Sequence, residues 1–308
     1  MYDIYQKTLA SEVIFKGIGL HSGKPSTIKL IPSQENSGIV FKRVDIKQNN
    51  LINANYTNVT STKLCTTLEN SFGTKVSTVE HLLAAVYIYG IDNLIIEIDN
   101  EEVPIMDGSA KIFLENLSKV ELINQSEKRK YLKVIDKVEL VDGERKISIE
   151  PSHESFEIDF QLNYENKVIG KQRNKFNFLK DNIKDISDSR TFCLYNDIKK
   201  IKNLGLAKGG SLDNAIVVDN NKVLNEDGLR NKKEFVNHKI LDLIGDFLLS
   251  GHRLIGKIKC YQGGHELSNM FLKKLFQNKL STNLIELQTI DISNKHNSQQ
   301  ISKIAVNA

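Results

Sequence analysis

The sequence predicts an α+β protein built as two related α+β domains, each a sheet layered with helices. Three observations predict it. The chain has 308 residues, 40% of them hydrophobic, enough for a sizeable core and long for one average domain. In each half, short β-branched runs precede one strong helix. Between the halves, Asn124 to Lys130 is charged and poor in apolar residues, and reads as a junction. The N-terminal domain is therefore placed at 1–125 and the C-terminal domain at 126–287. The relation between the halves rests on this order of elements, since residue identities do not align them.

Each element follows from local pattern. Val13 to Lys16 and Ser26 to Ile31 read as strands, and Gly17-Ile-Gly-Leu-His-Ser-Gly23 between them as a tight, exposed turn. A helix follows, with Ser77 as its cap and Glu80 three residues on, a capping-box spacing. Its apolar residues run to Ile88 and Gly90 stops it. Asn93 to Ile98 is a β-branched strand. In the second half, Leu132 to Ile135, Lys146 to Glu150 and Phe156 to Leu162 read as strands. A helix spans about Lys233 to Ser250 and ends at Gly251, and another spans Glu266 to Phe276. The stretch 288–308, rich in Asn, Gln, Ser and Lys, reads as a frayed polar tail.

Bulk properties narrow the function. The net charge of +4 comes from 42 basic and 38 acidic residues, without the concentrated basic patch of a nucleic-acid binder. Three cysteines, Cys65, Cys193 and Cys260, are widely spaced and form no CxxC pair. A disulfide framework is not expected, and a reducing cytoplasm is the simplest setting. The first residues carry no signal-peptide pattern, and no apolar run approaches the ~20 residues that span a bilayer. Membrane contact is expected to be peripheral at most.

Several residues invite chemistry. His238 and Asp242 are four apart on one helix face, with Asp246 continuing the stripe. Imidazole and carboxylate on adjacent turns can share a zinc ion. Yet Val236, Ile240, Leu243, Ile244 and Phe247 form the apolar face roughly opposite, so the stripe could equally face water. Asp is a poor interior helix residue, so two of them ask for a reason. Glu80 and His81 are adjacent and point ~100° apart on a helix. They cannot grip one ion as the two histidines of HExxH do. They can divide labour, His81 on a metal and Glu80 on its water, or they can be a capping residue and a core histidine. The positive helix end favours the neutral, ligating form of His81. His265 follows Gly263-Gly264, a turn that could present its ring or mean nothing. Thr191, in Ser189-Arg-Thr-Phe192, could donate to an oxyanion. Gly209-Gly-Ser211 lacks the spacing of a phosphate loop.

Taken together and in order, these segments resemble the UDP-3-O-acyl-N-acetylglucosamine deacetylases of lipid A biosynthesis. The matching text is Gly17 to Gly23, Ser77-Thr-Val-Glu-His-Leu82, Gly90-Ile-Asp-Asn93 and Pro104-Ile-Met-Asp-Gly-Ser-Ala110. It continues with Ser189 to Phe192, Gly209 to Ser211, Leu224-Asn-Glu-Asp-Gly-Leu-Arg230, His238-Lys-Ile-Leu-Asp242, Gly245-Asp246 and Gly264-His265. The resemblance implies one catalytic Zn2+ held by His81, His238 and Asp242, with water as the fourth ligand. It implies Glu80 as general base and a protonated His265, oriented by Asp246, as the group that serves the leaving amine. Thr191 would bond the oxyanion, and Phe192 and Lys239 would position the substrate. It also implies an active site at the domain interface and an insert in each domain. The second insert, about 194–219, would line an acyl passage with apolar members such as Ile198, Leu206, Ala207, Ala215 and Val217, and Gly210 and Ser211 would join the substrate contacts. The implied partner is a UDP-linked acylated amino sugar, namely UDP-3-O-(3-hydroxyacyl)-N-acetylglucosamine, hydrolysed to the free amine and acetate. No nucleic acid is expected, and the enzyme is expected to be a cytoplasmic monomer of a Gram-negative-type bacterium. Cys193-Leu194 departs from the glycine and aromatic residue expected after Thr191-Phe192, which bears on acyl preference. The other readings are a zinc amidase or peptidase of different specificity, an inactive binding module, and a sugar kinase, whose nucleotide loop is missing.

Overall fold

In the computed structural model, residues 3–287 are described apart from 154 and 279, so the polar tail lies outside the described residues. The first half is organised by a five-stranded sheet in the order Val13–Ile18, Pro25–Pro32, Leu94–Ile98, Ile39–Arg43, Leu51–Asn53. All pairs are antiparallel except Ile39–Arg43 with Leu94–Ile98. Residues of Ile39–Arg43 and Leu94–Ile98 alternate between buried and half-buried, the period of two expected of strands with one face on a core. Two helices belong to this half, α1 (Glu80–Tyr89) and α2 (Lys111–Leu117). A small sheet of Val59–Ser61, Thr67–Glu69 and Lys75–Ser77 leads into α1.

The second half has a seven-stranded sheet centred on Arg253–Tyr261, which pairs with Lys130–Val134, Arg145–Glu150 and Phe156–Asn163. Its helices are α3 (Lys184–Ser187), α4 (Tyr195–Asn203), α5 (Glu234–Leu248) and α6 (His265–Gln277). A separate three-stranded sheet, Phe192–Leu194, Ile216–Asp219 and Lys222–Val223, accompanies α4 over the predicted insert. The architecture is thus mixed, with sheets packed by helices.

Two local expectations are corrected. Asn124 to Lys130 does not interrupt the secondary structure as its composition suggests. Leu122–Lys128 is a strand, antiparallel to Tyr5–Leu9, and runs across position 125. Its mostly solvated side chains removed the apolar alternation that marks a strand. Secondly, Ser77 does not cap α1. It ends a strand, Thr78 follows with φ 56°, and Val79 is the cap residue with no side-chain bond. Of the two readings left open for the His238–Asp246 stripe, the structure shows the one the resemblance implies, since the stripe does not face water. Every residue of α5 except Lys239 is buried, because α1 and α5 pack together through the middle of one continuous apolar core.

Candidate active site

The site is built where α1 meets α5. Gly245 sets how closely they approach. A Cβ there would stand 2.0 Å from the Glu80 carbonyl oxygen, so any side chain at that position forces the two backbones apart. At the start of α1, the Thr78 kink is held by its hydroxyl, which donates to Glu102 Oε1 at 3.0 Å. Glu80 and His81 are therefore presented, buried, to the facing turns of α5.

Three donors converge. His81 Nε2 and His238 Nε2 lie 3.4 and 3.3 Å from Asp242 Oδ1, and the two rings meet edge to face with centroids 5.0 Å apart. His238 Nδ1–H donates to the Ser189 carbonyl at 3.1 Å, which leaves Nε2 as the free lone pair. Burial pushes the His238 pKa down to about 3, against the pull of Asp242, so the ring is neutral. Burial opposes charge on Asp242 too, yet His238 and Lys239 hold its carboxyl well below the usual range. Lys239 Nζ donates to Asp242 Oδ2 at 2.9 Å and lies 5.4 Å over the Phe192 ring. Asp242 Oδ1 is buried with no hydrogen-bond partner. A bare buried carboxylate oxygen facing two imidazole nitrogens is a donor set that fits a cation.

Beside the donors stands a second set. Burial raises the Glu80 pKa, only partly offset by His265 and His81. Its Oε2 accepts from Thr66 N at 3.1 Å, so the carboxylate that was read as a cap serves a strand-side residue. His265 is not a loop histidine but the first residue of α6. Its Nδ1–H donates to Asp246 Oδ2 at 3.0 Å, and its Nε2 is 3.7 Å from Glu80 Oε1. Burial works against its charge, but Asp246 and Glu80 outweigh it and raise the pKa to about 10. Asp246 is itself fixed by the Thr66 hydroxyl at 2.7 Å. Burial pushes the Cys65 thiol up to about 12, and it stays protonated beside the site.

The site opens into a cleft of about 390 Å³ lined by Glu80, His81, His238, Asp242, His265 and Thr191, among others. Lys239 and Phe192 also line it. An apolar passage of about 360 Å³ adjoins it, and Leu20, Leu64, Thr191, Phe192, Cys193 and Ile201 line both. Ile198, Ala207, Gly210, Ser211, Ala215 and Val217 line the passage, as expected from the insert, whereas Leu206 does not reach it.

Sequence reasoning missed the residues that hold these parts. Thr66 fixes two carboxylates, and Glu102 receives the His21 and Ser22 amides at 2.7 Å. Glu234 is completely buried and pairs with Arg190 at 2.8 Å, while Asp107 pairs with Arg230 at 2.8 Å. Asn225 accepts from Val217 N and donates to the Ala215 carbonyl, tying the passage wall. Several sit in the quoted motifs; their chemistry is structural, so no spacing rule exposed it.

Two α+β halves that jointly bury a His-His-Asp donor set, with a carboxylate and a histidine–aspartate pair alongside, define a metal-dependent hydrolase. The sequence comparisons agree. The chain matches the LpxC family, UDP-3-O-acyl N-acetylglycosamine deacetylase, over residues 6–277, and it belongs to that family. It is 42% identical over 285 residues to the UDP-3-O-acyl-N-acetylglucosamine deacetylase of a Nitratiruptor species, covering 92% of this chain and 94% of that one. It is 43% identical over 282 residues to the protein of that name from Wigglesworthia glossinidia brevipalpis (90% and 94% covered). It is 42% identical over 275 residues to the one from Pseudoalteromonas translucida, covering 88% and 90%. Among the described residues no helix is long and apolar enough to cross a membrane.

Proposed function

We propose that this protein hydrolyses the acetamide of UDP-3-O-(3-hydroxyacyl)-N-acetylglucosamine, giving acetate and the free amino sugar, an early committed step of lipid A biosynthesis. The observation that carries this reading is a buried His81–His238–Asp242 donor set with one bare carboxylate oxygen, opening onto an apolar passage. Two imidazoles and a carboxylate suit zinc, and a catalytic zinc keeps one position open. When bound, zinc supplies a Lewis acid for the amide carbonyl and makes water acidic enough to ionise near neutral pH.

The chain's own groups do the rest. Glu80 takes a proton from the attacking water as the new C–O bond forms. Its raised pKa makes it a better base than an ordinary carboxylate and a usable acid afterwards. The Thr191 hydroxyl, at the edge of both cavities, donates to the oxygen that gains charge. His265, cationic at neutral pH, gives its proton to the nitrogen as the C–N bond breaks. Asp246 positions His265. Phe192 and Lys239 border the sugar, and Ile198, Gly210, Ser211, Ala215 and Val217 border the acyl chain. The finer parts of the proposal are zinc as the ion, action as a monomer in the cytoplasm of a Gram-negative-type bacterium, and a division into two domains near residue 129, where Leu122–Lys128 ends. A zinc amidase or peptidase of other specificity would have no use for the passage.

The test is deacetylation of UDP-3-O-(3-hydroxyacyl)-N-acetylglucosamine by the enzyme as isolated, after chelation, and after zinc is restored. Loss on chelation and recovery with zinc are expected. Inactivity of the zinc-replete enzyme sinks the reading.

A further inference from the structure

The proposed chemistry uses His238, Asp242 and Asp246, but the same face of α5 begins one turn earlier, at Glu234. Glu234 is completely buried. Arg190 is buried as well, and the two form an ion pair at 2.8 Å. An ion pair this deep adds little net stability, because the hydration lost by both charges offsets their attraction. A fully buried carboxylate on the helix that carries two of the three metal donors asks for another reason.

That reason lies in what the carboxylate holds. Glu234 Oε1 accepts from the Arg190 backbone N–H at 3.1 Å and from Arg190 Nε at 2.8 Å. Its Oε2 accepts from Arg190 Nη2 at 3.3 Å, and Nη2 also donates to the Gly228 carbonyl at 2.7 Å. The main chain and the side chain of Arg190 are thus tied to the first turn of α5. Both neighbours of Arg190 serve the reaction centre. The Ser189 carbonyl accepts from His238 Nδ1 at 3.1 Å, and Thr191 lines the metal cleft and the passage.

A threonine hydroxyl sits one bond from the main chain at Cβ, so it goes where its backbone goes. The Thr191 N–H donates to the Gly108 carbonyl at 2.7 Å, and the Thr191 carbonyl accepts from Ile216 N at 2.8 Å. Gly108 is packed so tightly here that a Cβ on it would stand 2.0 Å from the Asn214 carbonyl oxygen and 3.3 Å from Thr191 Cγ2. These contacts fix Thr191 against the first half and the insert. The Glu234–Arg190 pair fixes it against α5, which carries His238 and Asp242. A donor to an oxyanion must stand within ~3 Å of it, so the link to α5 is the one that sets the working distance. We propose that Glu234, acting through Arg190, is a positioning residue for the reaction. It holds residues 189–191 in place on α5 so that the Thr191 hydroxyl meets the oxygen that gains charge. The inference rests on the proposed function and on the part Thr191 takes in it.

The experiment is a double-mutant cycle on kcat, taken per bound zinc, with UDP-3-O-(3-hydroxyacyl)-N-acetylglucosamine as substrate. Thr191→Val keeps the shape and removes the hydroxyl, and should lower kcat ~100-fold in the parent. Glu234→Gln keeps the shape but loses acceptor capacity toward Arg190. It should lower kcat by ~10-fold or more with KM unchanged, since the contact that is lost forms in the transition state. In the Glu234→Gln background, Thr191→Val should then cost less than ~10-fold, because the hydroxyl is already out of place. Removing one partner of a buried pair strains the fold. Arg190→Lys, which keeps the cation and loses the fork, therefore supplies a second background with the same expectation. A pair that only supports the fold would lower the melting temperature and leave Thr191→Val at its full ~100-fold cost in both backgrounds. That additivity overturns the inference. So does a Thr191→Val that is harmless in the parent, or loss of the fold in both backgrounds. A parent that turns over no substrate fails the functional reading, and this inference with it.

Discussion

Replacing Gly245 by alanine sets two effects of opposite sign against each other. In a helix interior, glycine to alanine ordinarily stabilises by ~1 kcal/mol, because the more flexible residue loses more entropy on folding. Here the new Cβ would stand 2.0 Å from the Glu80 carbonyl oxygen, 2.8 Å from its carbonyl carbon and 3.1 Å from its Cα. All three are backbone atoms, so no rotamer change relieves the clash. Real Cβ contacts are essentially never closer than 3.0 Å, so α1 and α5 must part by about 1 Å. Overpacking of this kind costs ~1–3 kcal/mol, which cancels or exceeds the propensity gain. The larger effect falls on the site. His81 moves with α1, while His238 and Asp242 stay on α5, and a shift of ~1 Å at a reaction centre costs on the order of 100-fold in rate. Gly245→Ala should fold, bind zinc more weakly in a chelator competition, and lose ~100-fold in kcat/KM. A variant with parental zinc affinity, kcat/KM within ~3-fold, and a higher melting temperature from the propensity gain would refute the close-approach argument.

Other outcomes follow from the same geometry. Glu80→Gln keeps the side chain's shape but not its basicity, and kcat should fall by ~100-fold or more with metal content unchanged. The pH profile of kcat/KM should be bell-shaped. Glu80 must be ionised, so its raised pKa moves the acid limb above the usual carboxylate range. His265 must be protonated, so activity is lost as pH rises through about 10. Asp246→Asn removes the charge that most favours the His265 cation, and the alkaline limb should move to lower pH; an unmoved limb rules out His265 as the acid. Ala215→Phe narrows the passage wall, and should reduce kcat/KM for long acyl chains while sparing short ones.

The sequence carried the main strands and the three longest helices because their apolar residues recur with the right period. It failed where the determinant lay far along the chain. The His238–Asp242 pairing was visible from spacing, but whether the stripe met water depended on α1, more than 150 residues earlier. Ser77 and Glu80 had the capping-box spacing, yet Ser77 is held in a strand by Glu101 and Glu80 is recruited by Thr66. Lys171–Asn177 and Leu122–Lys128 are strands with largely polar side chains, made by pairing to neighbours that local composition cannot show. The resemblance named the groups at the centre of the site. Thr66, Glu102 and Asn225, which hold those groups or the passage wall, came only from the three-dimensional contacts.

The donor set has a thermodynamic side as well. His81 belongs to the first half of the chain, and His238 and Asp242 to the second. An ion gripped by all three is a non-covalent staple across the molecule, present only when both halves are assembled. Its free concentration then enters the folding equilibrium by mass action, adding ~2.7 kcal/mol when it exceeds the dissociation constant ~100-fold. Metal supply would thus set how much of this protein persists folded, in addition to how much of it turns over.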